Sequence, residues 1–192
     1  MSDRTFESSF DRNRRHILRQ GLGLLVGASA LGLPGLSRAA AEHQERHLSL
    51  YNLHTGERSR FMYWADGRYL PETLSEINYL LRDHRTDEVA AIDVELLDAL
   101  YLLRQRLDNR HRFEVISGYR SPKTNRRLRQ QGHGVAKKSF HMKGMAIDIR
   151  LPGTSLAHLH NAALDLRAGG VGYYPNDGFV HVDVGWVRRW RG

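Results

Sequence analysis

Apolar and polar positions change period several times between residues 47 and 184, and each change marks an element. His47 to Leu53 alternates loosely and ends at His54-Thr55-Gly56. Arg60 to Ala65 alternates again and closes on Asp66-Gly67, so the two runs are expected to pair as an N-terminal hairpin. Pro71 opens a stretch in which Leu74, Ile77, Leu80 and Leu81 fall on one helical face. Leu96, Leu97, Leu100 and Leu103 repeat that spacing in a second helix, about Asp93 to Leu107. Phe113 to Ile116 reads as a short strand, and a basic helix from about Lys123 to Gln131 follows. Met145, Ile147 and Ile149 alternate with Ala146, Asp148 and Arg150, which is a strand with one apolar face. Ser155 to Leu166 has helical spacing, and Val171 to Tyr174 and Phe179 to Val184 are expected to finish the chain as two strands. Strands interleaved with helices, with hairpin-like connections at both ends, predict an α+β fold: one domain with a largely antiparallel sheet and packed helices.

Upstream of this pattern the chain has a different character. Asn13-Arg14-Arg15-His16-Ile17-Leu18-Arg19 precedes an apolar, Gly-rich run from Gly21 to Leu36, and small residues follow at Ser37, Ala39, Ala40 and Ala41. A charged start, a short apolar middle and a small-residue end form the layout of a secretory signal, and the paired arginines resemble the twin-arginine (Tat) type. The apolar run is shorter than the ~20 residues of a spanning helix, so residues 1–41 are expected to be a cleaved leader that leaves no stable membrane span. The Tat export machinery is then a partner, the periplasm the destination, and residues 42–192 the working domain.

Charge adds one constraint. The formal net charge is +8, and the leader would remove six arginines and three acidic residues, so the remainder stays basic. A basic chain suits an acidic partner such as nucleic acid, an anionic membrane surface or an anionic polymer. Export and the lack of a recognisable nucleic-acid-binding pattern argue against the first. The absence of cysteine excludes disulfides, iron–sulfur clusters, thiolate metal sites and cysteine nucleophiles.

The candidate chemistry lies near the C-terminal end. Ser139, His141, Gly144, Ala146 and Asp148 are followed by Phe179-Val180-His181-Val182-Asp183. His141, Asp148 and His181 supply two imidazoles and a carboxylate, the donor set of an open zinc site whose fourth position is left to water. On the last strand His181 and Asp183 share a face opposite Val180, Val182 and Val184; Asp148 occupies the polar face of its own strand. Two neighbouring strands could therefore present Asp148 and His181 to one cavity, with His141 entering from the preceding loop and Gly144 letting that loop turn. Singly, each residue is as readily a hydrogen-bonded histidine, among eleven in the chain, or a solvated aspartate.

The combination carries a resemblance. Ser-x-His-x-x-Gly-x-Ala-x-Asp at 139–148, with His181 in Phe-Val-His-Val-Asp, is similar to the D-alanyl-D-alanine carboxypeptidase and hedgehog-type zinc peptidase superfamily. Ser117-Gly118-Tyr119-Arg120-Ser121, Gly169-Gly170-Val171-Gly172-Tyr173-Tyr174-Pro175, Asn52-Leu53-His54-Thr55-Gly56-Glu57 and Gly134-Val135-Ala136-Lys137-Lys138-Ser139 resemble, within it, the bacterial murein endopeptidases of the YcbK (MepK) type. The resemblance implies zinc held by His141, Asp148 and His181, and hydrolysis of amide bonds in peptidoglycan stem peptides or their cross-links, including those between two diaminopimelate residues. It also places Arg120 where relatives bind substrate and polarise the scissile carbonyl. Several relatives carry a glutamate base three residues before the last histidine, where this chain has Gly178. Asp183, on the strand face of His181, and Asp177, in a turn, are the nearby carboxylates. Asp183 is the preferred catalytic candidate, with orientation of a ligand ring as its alternative role. His54 and His133 are further candidates, and Arg126, Arg127, Arg129, Lys137 and Lys138 form a basic group that could meet substrate carboxylates. Two other readings stand beside the endopeptidase: a D,D- or L,D-carboxypeptidase of the same superfamily, and a non-catalytic wall-binding module that keeps zinc only to brace its fold.

Overall fold

The computed structural model describes residues 45–132 and 135–192; the expected leader, residues 1–41, lies outside them. The first two alternating runs become β1 (Arg46–Asn52) and β2 (Arg58–Ala65), paired antiparallel with Leu48 opposite Phe61. Asp66 and Gly67 turn the chain into β3 (Arg68–Tyr69), a strand too short to show a period in the sequence.

Each helix starts where local chemistry satisfies its first free N–H groups. α1 (Pro71–Leu80) begins on a proline, which has no N–H to satisfy and a φ already suited to the first turn. α2 (Val94–Leu107) is capped by the Asp93 carboxylate, which accepts from the Glu95 N–H at 2.9 Å. Its Leu96, Leu97, Leu100 and Leu103 are all fully buried, each worth about 1.5–3 kcal/mol of burial. β4 (Phe113–Ser117) leads to α3 (Pro122–Gln130), capped by the Ser121 hydroxyl at 3.2 Å from Thr124 N. A 3-10 turn (Phe140–Lys143) precedes β5 (Ala146–Arg150). α4 (Leu156–Leu166), capped by Ser155, then leads to β6 (Gly170–Tyr174) and β7 (Phe179–Asp183).

The expectation that β7 ends the chain's regular structure is corrected by β8 (Arg188–Arg191). Arg188-Arg189-Trp190-Arg191 has no apolar alternation because an edge strand needs a partner on one side only. The eight strands lie in one sheet, in the order β3-β2-β1-β4-β5-β7-β6-β8. β1–β4 and β6–β8 are parallel and every other neighbouring pair is antiparallel, which gives the expected α+β class. α2 and α4 pack on each other and on the sheet. Ile147, Ile149, Val180 and Val182 belong to the buried apolar core, so the period of two sends Asp148 and His181 to the opposite face. Among the described residues no helix is long and apolar enough to cross a membrane.

Candidate metal centre

Asp148 stands directly across from His181 in the antiparallel pairing of β5 and β7. The two strands are neighbours, as the periodicity argument required. His141 comes from the 3-10 turn, whose first N–H groups are met by the Ser139 hydroxyl at 3.3 Å from His141 N. The turn ends on Gly144 at φ +68°, and a Cβ there would fall on the Ala91 carbonyl oxygen. Both conditions exclude a side chain at this position. The Arg120 N–H donates to the His141 carbonyl at 3.2 Å and straps the turn to the segment after β4.

Three donor atoms converge. His141 Nε2 lies 3.2 Å from His181 Nδ1 and 3.3 Å from Asp148 Oδ1, and His181 Nδ1 lies 2.8 Å from Asp148 Oδ1. A tetrahedral ion with bonds of 2.0–2.1 Å has ligand–ligand edges of about 3.3 Å, so the triangle has the size of one face of such a site. The ring orientations agree. His141 Nδ1 is 2.7 Å from the Gly118 carbonyl, which can only accept, so Nδ1 carries the proton and Nε2 presents a lone pair. His181 Nε2 donates to Asp183 Oδ2 at 3.0 Å and leaves Nδ1 for the centre. These residues therefore fit a divalent metal with nitrogen and oxygen donors, all three being buried.

The electrostatics are those of a site prepared for a cation. Burial alone would raise the Asp148 carboxyl, but His141 and His181 beside it hold it far below the ordinary carboxylate range. Burial pushes His141 down, against the pull of Asp148, and favours the neutral, ligating form. Burial also pulls at His181, yet Asp148 and Asp183, one at each ring nitrogen, outweigh it and raise the ring. A metal held by these three residues would take the place of the Nδ1 proton.

Arg120 is 8% exposed, with Nη2 3.2 Å from Ser117 Oγ and 3.5 Å from Asp148 Oδ2. Burial lowers its guanidinium from the ordinary value, opposed by Asp148 and, more weakly, by Tyr174. Its buried Nε has no partner among the described residues. The segment carrying it is anchored by Asp83, almost fully buried, whose Oδ2 accepts from Ser121 N at 2.9 Å and Oδ1 from Arg85 N at 3.0 Å.

Asp183 is fully buried, and its carboxylate is saturated. Oδ1 accepts from Gly170 N, Gly185 N and Arg188 Nη1 at 2.8–3.0 Å; Oδ2 accepts from Arg188 Nη2 at 2.7 Å and from His181. Burial would raise this group, but His181, Arg188 and the two backbone donors hold it at about 2. It stands behind the His181 ring, on the side away from Asp148.

A cavity of about 440 Å³ opens over the three donors, and its walls include Arg120, Lys138, Phe140, Tyr174, Arg188 and Trp190. Of the expected basic group, Lys137 is exposed and Arg126, Arg127 and Arg129 sit exposed on α3, so Lys138 alone reaches this wall. Asp177 is exposed in the β6–β7 turn, and Gly178 occupies that turn at φ +74°; neither lines the cavity. His54 is exposed, stacks on His84 with ring centroids 3.8 Å apart, and is absent from the cavity wall. His133 lies outside the described residues. The sequence expectations missed Asp83, Arg188 and Trp190. Nothing in their local pattern marks them, because each acts through a partner in a different segment.

A family model described as peptidoglycan L,D-endopeptidase MepK matches residues 39–190. The peptidoglycan L,D-endopeptidase MepK of Escherichia coli K12 is 45% identical over 181 residues, 94% of this chain and 98% of its own. The probable peptidoglycan L,D-endopeptidase MepK of Haemophilus influenzae is 41% identical over 183 residues, covering 95% and 97% respectively. No solved structure matches. With the family model spanning most of the chain and these relatives aligned nearly end to end, the chain belongs to the MepK family of peptidases.

Proposed function

We propose that this protein is a zinc-dependent murein endopeptidase that hydrolyses peptide cross-links of peptidoglycan, with the bond between two diaminopimelate residues as its target. The convergence of His141 Nε2, Asp148 Oδ1 and His181 Nδ1 on one point beneath an open cavity carries this reading. The L,D-endopeptidase names of the relatives support cleavage within cross-links over carboxypeptidase trimming. Zinc bound there supplies Lewis-acid chemistry that activates water and polarises an amide carbonyl.

The chain's own groups do the rest. Gly118 and Asp183 fix the two imidazoles so that each turns its lone pair inward. Arg120, held near Asp148, places a fixed positive charge beside the carbonyl oxygen as negative charge develops on it. Of the two roles open to Asp183, its geometry supports orienting His181, since its oxygens are fully occupied and turned from the cavity. Lys138 and Arg188 on the wall suit the carboxylates of an acidic stem peptide. Residues 1–41 serve as a Tat leader that delivers the domain to the periplasm, where this substrate lies.

One observation favours a second reading, a wall-binding module that does not cleave. Among the described residues lining the cavity, Asp148 is the sole carboxylate, and it is committed as a ligand. The decisive experiment incubates purified protein with diaminopimelate cross-linked muropeptides, with and without a chelator, weighs the products, and quantifies zinc in the same sample. Cleavage that stops with chelator and returns with zinc is expected, with product masses naming the bond. Stoichiometric zinc without cleavage of any cross-linked substrate would establish the binding module instead. His141→Ala, Asp148→Ala and His181→Ala should each lose both metal and turnover; full zinc retention in all three would remove the ligand assignment.

A further inference from the structure

β8 brings a tryptophan into the cavity, and that tryptophan sets the direction of a hydrogen bond. Trp190 pairs across from Gly172 on β6, where a Cβ would come within 2.6 Å of the indole, so only glycine lets the ring lie down there. The indole packs beside the His181 ring with centroids 5.0 Å apart, and its Nε1–H donates to the Tyr174 hydroxyl at 2.8 Å. An indole N–H is a donor and nothing else. The Tyr174 oxygen is therefore the acceptor, and its own hydrogen is left for another acceptor. Among the described residues none takes it.

Tyr174 is otherwise well fixed. Its ring stacks on Phe179 with centroids 4.5 Å apart at 18°, and it shares the cavity wall with Arg120, Asp148 and His181. The cavity thus holds a charged donor, Arg120, and a neutral one, Tyr174, on the same wall as the three metal-ligand candidates. A hydroxyl donor with no acceptor among the described residues, on the same wall as a guanidinium, suits the oxygen of a bound substrate.

We propose that the Tyr174 hydroxyl is a catalytic hydrogen-bond donor to the carbonyl oxygen of the scissile amide, sharing with Arg120 the negative charge that develops there. The proposal rests on the hydrolase reading above and names one further group in it. Trp190 is the positioning residue, acting through Tyr174.

The test compares wild type, Tyr174→Phe and Trp190→Phe on a soluble cross-linked muropeptide dimer, with kcat and KM resolved separately and with zinc content and melting temperature measured on each protein. Tyr174→Phe keeps the stacked ring and removes only the donor; kcat is expected to fall about 100- to 1,000-fold, with KM within about twofold and zinc and melting temperature unchanged. Trp190→Phe keeps a ring over Gly172 and removes the N–H, and a smaller loss in kcat is expected because the hydroxyl remains but is free to turn. A Tyr174→Phe protein with wild-type kcat, a loss confined to KM, or a loss that tracks zinc or melting temperature would each overturn the proposal. A wild type that binds zinc and cleaves nothing would overturn the hydrolase reading itself, and the donor role with it.

Discussion

Asp183 and Asp83 are buried carboxylates that do not line the cavity yet anchor the groups that do. Asp183→Asn preserves shape but weakens the grip on His181 Nε2 and on Arg188. Zinc affinity is expected to fall about 10- to 100-fold, measured by competition with a chromophoric chelator; an unchanged affinity would mean that the ring needs no such support. At Asp83 burial acts to raise the pKa, but hydrogen bonds from Thr124, Arg85 and Ser121 win and hold it below the ordinary value. A depressed folded-state pKa stabilises the protein above the unfolded value, and that contribution disappears as pH falls through the folded one. Asp83→Asn should therefore cost about 1–3 kcal/mol near neutral pH, and the difference from wild type should shrink in urea melts repeated at progressively lower pH below about 4. His141 and Asp148 were legible as candidate ligands because they share a compact motif of types that bind metal. His181 was legible because its strand period puts it on one face with Asp183, and the structure brings the three together. Asp183 was legible as a neighbour on the right strand face but not as a residue turned from the cavity. That depends on Gly170, Gly185 and Arg188, which no strand period places behind it.

At the scale of elements, periodicity located both hairpin strands, all four helices and the two strands that carry Asp148 and His181. It failed where a strand is no longer than one period, as in β3, or borrows its burial from one neighbour, as in β8. The second failure had a functional cost, since β8 carries Arg188 and Trp190 to the site. The 3-10 turn shows what sequence can say about a loop: Gly144 is expected to permit a turn, and the structure adds the close approach to Ala91. Gly144→Ala combines a strained positive φ, about 1–3 kcal/mol for such a conformation, with a backbone collision. It should lower the melting temperature measurably and reduce zinc content together, because the same turn carries His141; a variant as stable and as metal-loaded as wild type would show that the turn tolerates displacement.

For the whole molecule, the proposed leader and the domain make separate predictions. Replacing Arg14 and Arg15 with lysine is expected to leave the protein in the cytoplasm on cell fractionation, while purified protein retains its metal site; normal export of the double variant would remove the Tat assignment. Within the domain, Asp148 and His181 are 33 residues apart, and His141 and His181 are 40 apart. α4 and β6 must be laid down between β5 and β7 before the donors meet. A one-residue slip of β7 along β5 would rotate His181 to the helix side and Val180 or Val182 to the cavity. Such a misfolded chain keeps most of its hydrogen bonds but has lost one of three donors, so it cannot hold the ion comparably. A metal that binds only the native register stabilises it by mass action, about 2.7 kcal/mol at a hundredfold excess over Kd. If the three donors hold zinc as proposed, metal capture would proofread strand registry, and the zinc content of a preparation would count the fraction of chains whose sheet closed correctly.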